Sequence, residues 1–215
     1  GVPVPPGFTI STQACNAYYD SGGKLPAEVD QQMDAALARL EALQGKKLGD
    51  PADPLLVSVR SGSKFSMPGM MDTILNLGMN DKSVAGVEAK TGNPRFAWDS
   101  YRRFIQMYGN VVLGIDKDKF EHELSAAKKK YKAKTDVELD AKALDEVIER
   151  YKAVVLKHTH APFPQEPRAQ LVGARDAVFK SWNNPRAITY RKLNQIPPDL
   201  GTAVNVQSMV FGNMG

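Results

Sequence analysis

The stretch 58-SVRSGSKFSMPGMMDTILNLG-78 guides the interpretation of the rest of the chain. An apolar run from Leu55 to Val59 predicts a buried strand that delivers Arg60 into a loop of Ser, Gly, Pro and Met. An apolar pattern then resumes at Ile74. Successive small residues let backbone N–H groups converge on an anion, and an arginine can donate to its oxygens from a planar fork. The stretch is therefore a candidate phosphate-binding corner. The alternative is a loop that only reverses the chain beside a solvated Arg60.

Upstream of this stretch, the pattern predicts one short strand and two helices. The strand lies within residues 3–10, and the first helix runs from about residue 12 to residue 20. Pro26 is a suitable first residue for the second helix, whose apolar face extends from Val29 to Leu43 in steps of three and four. The single cysteine, Cys15, is interpreted as a small apolar filler of the first helix, which indicates a reducing compartment.

Downstream, helical periodicity dominates residues 80–165, and further helices are expected in 167–182 and 185–193. Three apolar stripes within 80–165 recur at helical spacing and are interpreted as core: Trp98, Tyr101, Ile105 and Tyr108; Phe120, Leu124, Ala127 and Tyr131; and Leu144, Val147, Ile148, Tyr151, Val154 and Val155. Residues 202–210 alternate instead. Ala203, Asn205, Gln207 and Met209 share one face of this predicted strand, which is either a solvent face or one wall of a ligand cleft. Strands among many helices predict α+β or α/β architecture.

The composition and motifs exclude several classes of function. The net charge of +4 is concentrated in 128-KKKYKAK-134 and along helix surfaces, without the basic and aromatic array of a nucleic-acid site. No segment approaches the ~20 consecutive apolar residues of a membrane helix. His122, His158 and His160 lack partners at zinc-ligand spacing, and the motifs of a P-loop and of a serine nucleophile elbow are absent. We predict no catalytic residue and no metal ligand in this chain.

Five blocks of sequence carry a resemblance that covers the chain from end to end. They are residues 1–12, the opening stretch 58–78, FAWDSYRRFIQMYGNVVLGI at 96–115, SWNNPRAITYR at 181–191 and GTAVNVQSMVFGNMG at 201–215. In this order they resemble the N-terminal nucleotide-binding region of the pyruvate, phosphate dikinase family. The resemblance implies an α+β fold, a partial ATP-grasp domain. Its first lobe would comprise residues 1–79 plus 166–215, and residues 80–165 would form an inserted helical subdomain.

The same resemblance implies the activity of the parent protein. ATP and phosphate would phosphorylate a histidine on a separate central domain, which then converts pyruvate to phosphoenolpyruvate in a reversible reaction. Mg²⁺ ligands and the catalytic histidine are expected outside this chain, so the isolated chain is expected to be inactive. A start at Gly1 and a turn-like end at 212–215 also suggest a piece of a longer protein. The parent is expected to be an intracellular homo-oligomer, cytoplasmic or in an organelle such as a plastid.

The resemblance implies binding roles for eight side chains. These are Arg60 and Arg103 for the ATP phosphates, Met70, Met71 and Thr73 in a loop that closes over the nucleotide, and Gln207, Met209 and Val210 for adenine. Two alternatives remain open. One is a fragment of a pyruvate, water dikinase, the phosphoenolpyruvate synthase. The other is a non-catalytic docking module that uses the basic segment 128–134.

Overall fold

The computed structural model describes residues 4–210 of the chain, so the outermost residues of the predicted first lobe lie outside the described part. The described elements, in chain order, are β1 (Gly7–Ile10), α1 (Thr12–Asp20), α2 (Ala27–Gln44), β2 (Lys47–Leu48), β3 (Pro54–Leu55), β4 (Val57–Gly62), β5 (Thr73–Leu77), α3 (Ser83–Thr91), α4 (Pro94–Val111), α5 (Lys117–Tyr131), α6 (Ala141–Thr159), α7 (Pro167–Ser181), α8 (Pro185–Leu193) and β6 (Ala203–Ser208). The mixture of an antiparallel sheet with many helices confirms the α+β class.

Local chemistry sets most helix ends. Gly45 ends α2 in the left-handed conformation, where glycine has no Cβ penalty. Pro167 and Pro185 open α7 and α8 as their first residues, as predicted. The Asn184 side chain caps α8 by accepting a hydrogen bond from the backbone N–H of Ala187 over 2.7 Å. Two predicted core positions are wrong: Leu43, in the last turn of α2, is 70% exposed, and Tyr131, the last residue of α5, is 36% exposed.

The main sheet has the order β1-β6-β4-β5, and every neighbouring pair is antiparallel. The expectation that the strand delivers Arg60 into a loop is wrong. Strand β4 continues through Arg60 to Gly62, because its pairing with β6 extends to Gly62, opposite Ala203. Arg60 pairs with Asn205 of β6 and with Thr73 of β5.

The two faces of this sheet have different environments. Five aliphatic side chains on one face are completely buried: Val57, Val59, Ile74, Val204 and Val206. Helices α1 and α7 pack against the sheet and cover this face. The opposite face carries polar side chains that are partly or fully exposed. We call it the open face and define it by Thr9, Arg60, Thr73, Asn205 and Gln207. The alternation predicted for residues 202–210 is confirmed over Ala203–Ser208, whereas Val210 lies beyond the strand and is 68% exposed.

Helices α3 to α6 pack on one another, and α4 also packs against β5 at the end of the sheet. The hydrophobic core therefore continues from the sheet into these helices. Phe104 and Tyr108 of α4 meet Phe163 edge to face, with ring centroids 5.7 and 5.6 Å away. Tyr101 and Ile105 of the same predicted stripe are fully buried. Within the described residues, no helix is both long enough and apolar enough to span a bilayer.

One buried glutamine joins the sheet to the chain segment that returns from the helices. Gln170 of α7 accepts a hydrogen bond from Gly78 N, just after β5, over 3.2 Å. Its amide nitrogen donates to the carbonyl oxygens of Met79 and Pro164 at 3.0 and 2.8 Å. The side chain thus satisfies three backbone groups in a place that water does not reach.

Candidate functional site

A straight row of four residues crosses the open face of the sheet. Thr9, Asn205, Arg60 and Thr73 are consecutive register partners on the four strands, so their side chains lie side by side. The Thr9 hydroxyl donates to Asn205 Oδ1 over 2.8 Å. Gly62 leaves room for this amide, because a Cβ at that position would lie 2.5 Å from Asn205 Nδ2. Sequence reasoning put Asn205 on this face but assigned it no role.

Arg60 is the cationic group of the row. Its Nη2 donates to Gln207 Oε1 over 2.7 Å, and Gln207 Nε2 donates to the carbonyl oxygen of Pro5 over 2.9 Å. Among the described residues, no carboxylate lies within ion-pair distance of Arg60. The guanidinium is therefore oriented by a neutral partner, keeps its full charge and remains exposed. This is the arrangement that an incoming anion requires.

The loop between β4 and β5 is anchored to the N-terminus of α8. Asn184 Nδ2 donates to the Met70 carbonyl oxygen over 2.8 Å. Met70 and Met71 are partly buried and pack against the hydrophobic core. Burial raises the pKa of Asp72, and Arg186, whose Nη2 lies 3.6 Å from Asp72 Oδ1, opposes this increase. The loop leads directly into Thr73, the neighbour of Arg60 on the open face.

A cavity of about 350 Å³ lies at the carboxyl end of β6. Its apolar lining includes Leu55, Leu56 and Val87, together with the predicted adenine-binding residues Met209 and Val210. The polar lining includes Lys46 and Lys90, both of which pair with Asp53, at 2.9 and 3.1 Å. Gln207, the third residue predicted for adenine, does not line this cavity, since its amide is bound to Arg60 and Pro5.

Arg103, the second predicted phosphate ligand, lies on α4 and not in the sheet. Its side chain is 59% exposed, and its Nε donates to Asp99 Oδ2 over 2.9 Å. One turn later, Met107 accepts a hydrogen bond from the backbone N–H of Leu75 in the edge strand β5. Arg103 therefore projects from the helix that borders the sheet edge. Within residues 4–210 it has no hydrogen bond to a residue of the open face.

Asp99 also binds the preceding residue, Arg102, through Nε at 2.8 Å and Nη2 at 2.6 Å. Burial lowers the pKa of Arg102, but the charge and hydrogen bonds of Asp99 outweigh it and leave that pKa above its ordinary value. Sequence reasoning did not identify Asp99. The spacing of an acid followed by arginines three and four positions later was the signal, since these positions lie close together on a helix.

The structure does not favour the docking hypothesis for residues 128–134. Lys128 pairs with Asp136 at 2.8 Å and Lys130 with Glu146 at 2.6 Å, so part of the basic charge is already neutralised inside the chain. Within residues 4–210, no group of three or more His, Cys, Asp or Glu side chains is arranged to hold a metal ion.

Comparisons with known proteins agree on one family. A family model described as "Pyruvate phosphate dikinase, AMP/ATP-binding domain" matches residues 22–215. The pyruvate, phosphate dikinase of Clostridium symbiosum is 57% identical over 216 residues, which cover 100% of this chain and 25% of that protein. The protein of the same name from Giardia intestinalis is 57% identical, with 24% of its length covered, and the chloroplastic one from Mesembryanthemum crystallinum is 54% identical, with 23% covered; both alignments include 100% of this chain. The chain spans about a quarter of the length of these relatives.

Proposed function

Because the chain belongs to the family of pyruvate phosphate dikinase AMP/ATP-binding domains, we propose that it binds ATP as the nucleotide-binding part of a pyruvate, phosphate dikinase. The ATP phosphates bind at the open face, next to Arg60. The alternative, a pyruvate, water dikinase, is not favoured, since the matching model and the similar proteins carry the name of the phosphate-dependent enzyme.

One observation carries the phosphate site. Arg60 is exposed and lies in the central strand β4, and its side-chain partner among the described residues is the neutral Gln207. An arginine whose terminal nitrogens are paired with a carboxylate has to give up that partner before these nitrogens can bind phosphate, whereas Arg60 does not. Its remaining N–H groups can donate to phosphate oxygens in the planar geometry that guanidinium offers. Thr73, its neighbour on β5, adds a hydroxyl donor.

The cavity at the end of β6 supports the adenine part of the proposal. Adenine needs a flat apolar slot with a few polar contacts, and Met209, Val210 and Leu56 line such a space. Methionine suits this slot because its side chain is polarisable and adaptable. We place Gln207 between this cavity and the bound phosphates, where its side chain orients Arg60 through a hydrogen bond. Met70 and Met71, in the loop that precedes Thr73, form the cover over the phosphate side.

We further propose the remaining features that the sequence resemblance implies. The chain is the first lobe of an ATP-grasp fold with residues 80–165 as its helical subdomain, and a histidine on another domain of the full-length protein receives the phosphoryl group before pyruvate does. Phosphoryl transfer depends mainly on positioning and charge neutralisation, which Arg60 and Arg103 supply. As the resemblance implies, the Mg²⁺ ligands belong to other parts of the full-length protein.

Isothermal titration of the full-length protein with ATP tests the site. Arg60→Ala removes one charge-assisted phosphate contact and is expected to weaken ATP binding by about 1.5–3 kcal/mol. Arg60→Lys should recover only part of this loss, because an ammonium group cannot donate in the forked geometry. Arg168→Ala is the matched control, since Arg168 is exposed and lies on α7, which packs against the opposite face of the sheet. Equal ATP affinity of wild type and Arg60→Ala would refute the proposed site.

A further inference from the structure

A single carboxylate on α4 holds two consecutive arginines in different environments. Asp99 Oδ1 accepts hydrogen bonds from Nε and Nη2 of Arg102. Its other oxygen, Oδ2, accepts from Nε of Arg103 over 2.9 Å. Asp99 is itself buried, with 8% of the residue exposed. Each oxygen of the carboxylate thus has its own arginine, and the group cannot rotate without losing one of the two contacts.

Arg102 is the internal partner and makes the carboxylate rigid. It is buried, and its Nη1 donates to Gln106 Oε1 over 3.3 Å. Its Nη2 also faces Asp136 Oδ2 at 3.9 Å, which connects it to the segment before α6. Because acceptors lie on several sides of Arg102, its guanidinium has one available orientation. The two hydrogen bonds from Arg102 then fix the orientation of the Asp99 carboxylate. Arg102 is therefore an anchor and not a ligand-binding group.

Arg103 is the external partner and is held at one end only. Its Nε is bound to Asp99, whereas neither Nη1 nor Nη2 has a partner among the described residues. The side chain is 59% exposed, next to the helix turn that borders β5. The contact at Nε restricts the orientation of the guanidinium plane, and both terminal nitrogens are without a hydrogen bond to the described residues. These two nitrogens are the pair that binds two oxygens of one phosphoryl group.

We propose that Asp99 is a positioning residue, which uses the buried Arg102 as its anchor and fixes the guanidinium of Arg103 toward a phosphoryl oxygen of ATP. This inference rests on the proposed phosphate-binding role of Arg103. Asp99 does not touch the nucleotide. Its effect comes from restricting the rotamers of Arg103 before the phosphoryl group arrives, so that less conformational freedom is lost during the reaction.

A double-mutant cycle in the full-length protein tests the inference. The measurement is the single-turnover rate of ATP-dependent phosphorylation of the enzyme at saturating ATP, together with the KM for ATP and the melting temperature. We expect Arg103→Ala and Asp99→Asn each to slow the rate by about tenfold or more, equivalent to about 1.4 kcal/mol. In the Arg103→Ala background, adding Asp99→Asn should change the rate less than about twofold, because Asp99 acts only through Arg103.

Two further variants separate positioning from stability. Glu146→Gln breaks a comparable carboxylate–arginine pair on α6, where Glu146 and Arg150 are also four residues apart and 2.7 Å away. It should lower the melting temperature without slowing the reaction. Arg103→Lys leaves Asp99 and Arg102 together but loses the Nε contact, and should be slowed almost as much as Arg103→Ala. It serves as the deciding variant if Asp99→Asn does not fold.

The outcomes distinguish this inference from the proposed function. An unaffected rate in Asp99→Asn, or an equal slowing by Asp99→Asn with and without Arg103, overturns the positioning role. A normal rate in Arg103→Ala or in Arg103→Lys also overturns it. Each of these results is compatible with a large effect of Arg60→Ala on ATP binding. Failure of the proposed ATP site at the open face would instead appear as an unchanged ATP affinity of Arg60→Ala in the isothermal titration.

Discussion

Arg60 and Gln207 lie on adjacent strands, β4 and β6, and are joined by a hydrogen bond of 2.7 Å from Nη2 to Oε1. Gln207 occupies a terminal nitrogen of Arg60, so it has to restrict the rotamers of this arginine without competing with phosphate as a second anion. A glutamine amide does this, and its own orientation is fixed because Nε2 donates to Pro5 O. A carboxylate at the same position would compete with phosphate for the guanidinium.

We therefore predict that Gln207→Glu weakens ATP binding by about tenfold or more, or about 1.4 kcal/mol. Gln207→Met removes the hydrogen bond without adding a charge, and should weaken binding less, by about 0.5–1 kcal/mol. Titration of both variants with ATP, at matched ionic strength, gives the order of their ATP affinities. Tighter binding by Gln207→Glu than by Gln207→Met would contradict the competition argument.

Replacing the buried Gln170 should destabilise the fold. Gln170→Met keeps the approximate volume but leaves the Gly78 N–H and the carbonyl oxygens of Met79 and Pro164 without their partner. We expect a loss of about 2–4 kcal/mol in the free energy of unfolding, measured with urea. The control, Gln31→Met on the exposed surface of α2, should change it by less than about 0.5 kcal/mol. Similar values for the two variants would rule out this role of Gln170.

Gly86 should resist a substitution that usually stabilises helices. Glycine to alanine within a helix normally gains about 1 kcal/mol. In α3, however, a Cβ at Gly86 would lie 2.6 Å from the backbone oxygen of Pro51. Because backbone cannot move aside cheaply, we expect Gly86→Ala to cost about 1–3 kcal/mol. At Gly92 a Cβ meets no atom within 4 Å, so Gly92→Ala should cost only the backbone strain of its positive φ. The urea midpoints of wild type and of the two variants test these expected losses of stability.

Glu146 should make the fold sensitive to acid. Hydrogen bonds from Lys130, Tyr131 and Arg150 lower the pKa of Glu146 from its ordinary 4.5 to about 2. Between pH 4.5 and about 2, the Glu146 carboxylate is protonated in the unfolded chain but remains ionised in the folded chain. The stabilisation by Glu146 is therefore complete above pH 4.5 and is lost as the pH falls toward about 2. Glu146→Gln should be less stable than wild type at neutral pH and lose less stability across this window. Parallel curves of unfolding free energy against pH would show that Glu146 is not responsible.

Local signals allowed many elements to be predicted from the sequence. Helices α7 and α8 begin at Pro167 and Pro185, and α2 ends at Gly45. These ends are visible in the sequence because helix caps depend only on neighbouring residues. The end of β4 was not predictable in this way. Arg60 and Gly62 are not apolar, and they belong to the strand because β6, far away in the sequence, pairs with them.

The candidate site shows the same limit. Alternation placed Gln207 on the polar face of β6, as the structure has it, but Met209, predicted for the same face, follows the end of the strand. The bond from Arg60 to Gln207 depends on the register between distant strands. The spacing of Asp99, Arg102 and Arg103 was visible locally. Which arginine is buried and which is exposed depends on how α4 packs against its neighbours, and this is a tertiary property.

The position of β6 has a consequence for the order in which the protein is made. This strand is the last described one in the chain, yet it lies between β1 and β4. On the ribosome, both neighbours therefore emerge with an unpaired edge and wait for most of the chain to be translated, whereas α3 to α6 can already pack on one another. Such long-range pairing is slow, and the exposed edges attract other chains meanwhile. A helical region that folds early and a sheet that closes last predict dependence on chaperones during synthesis.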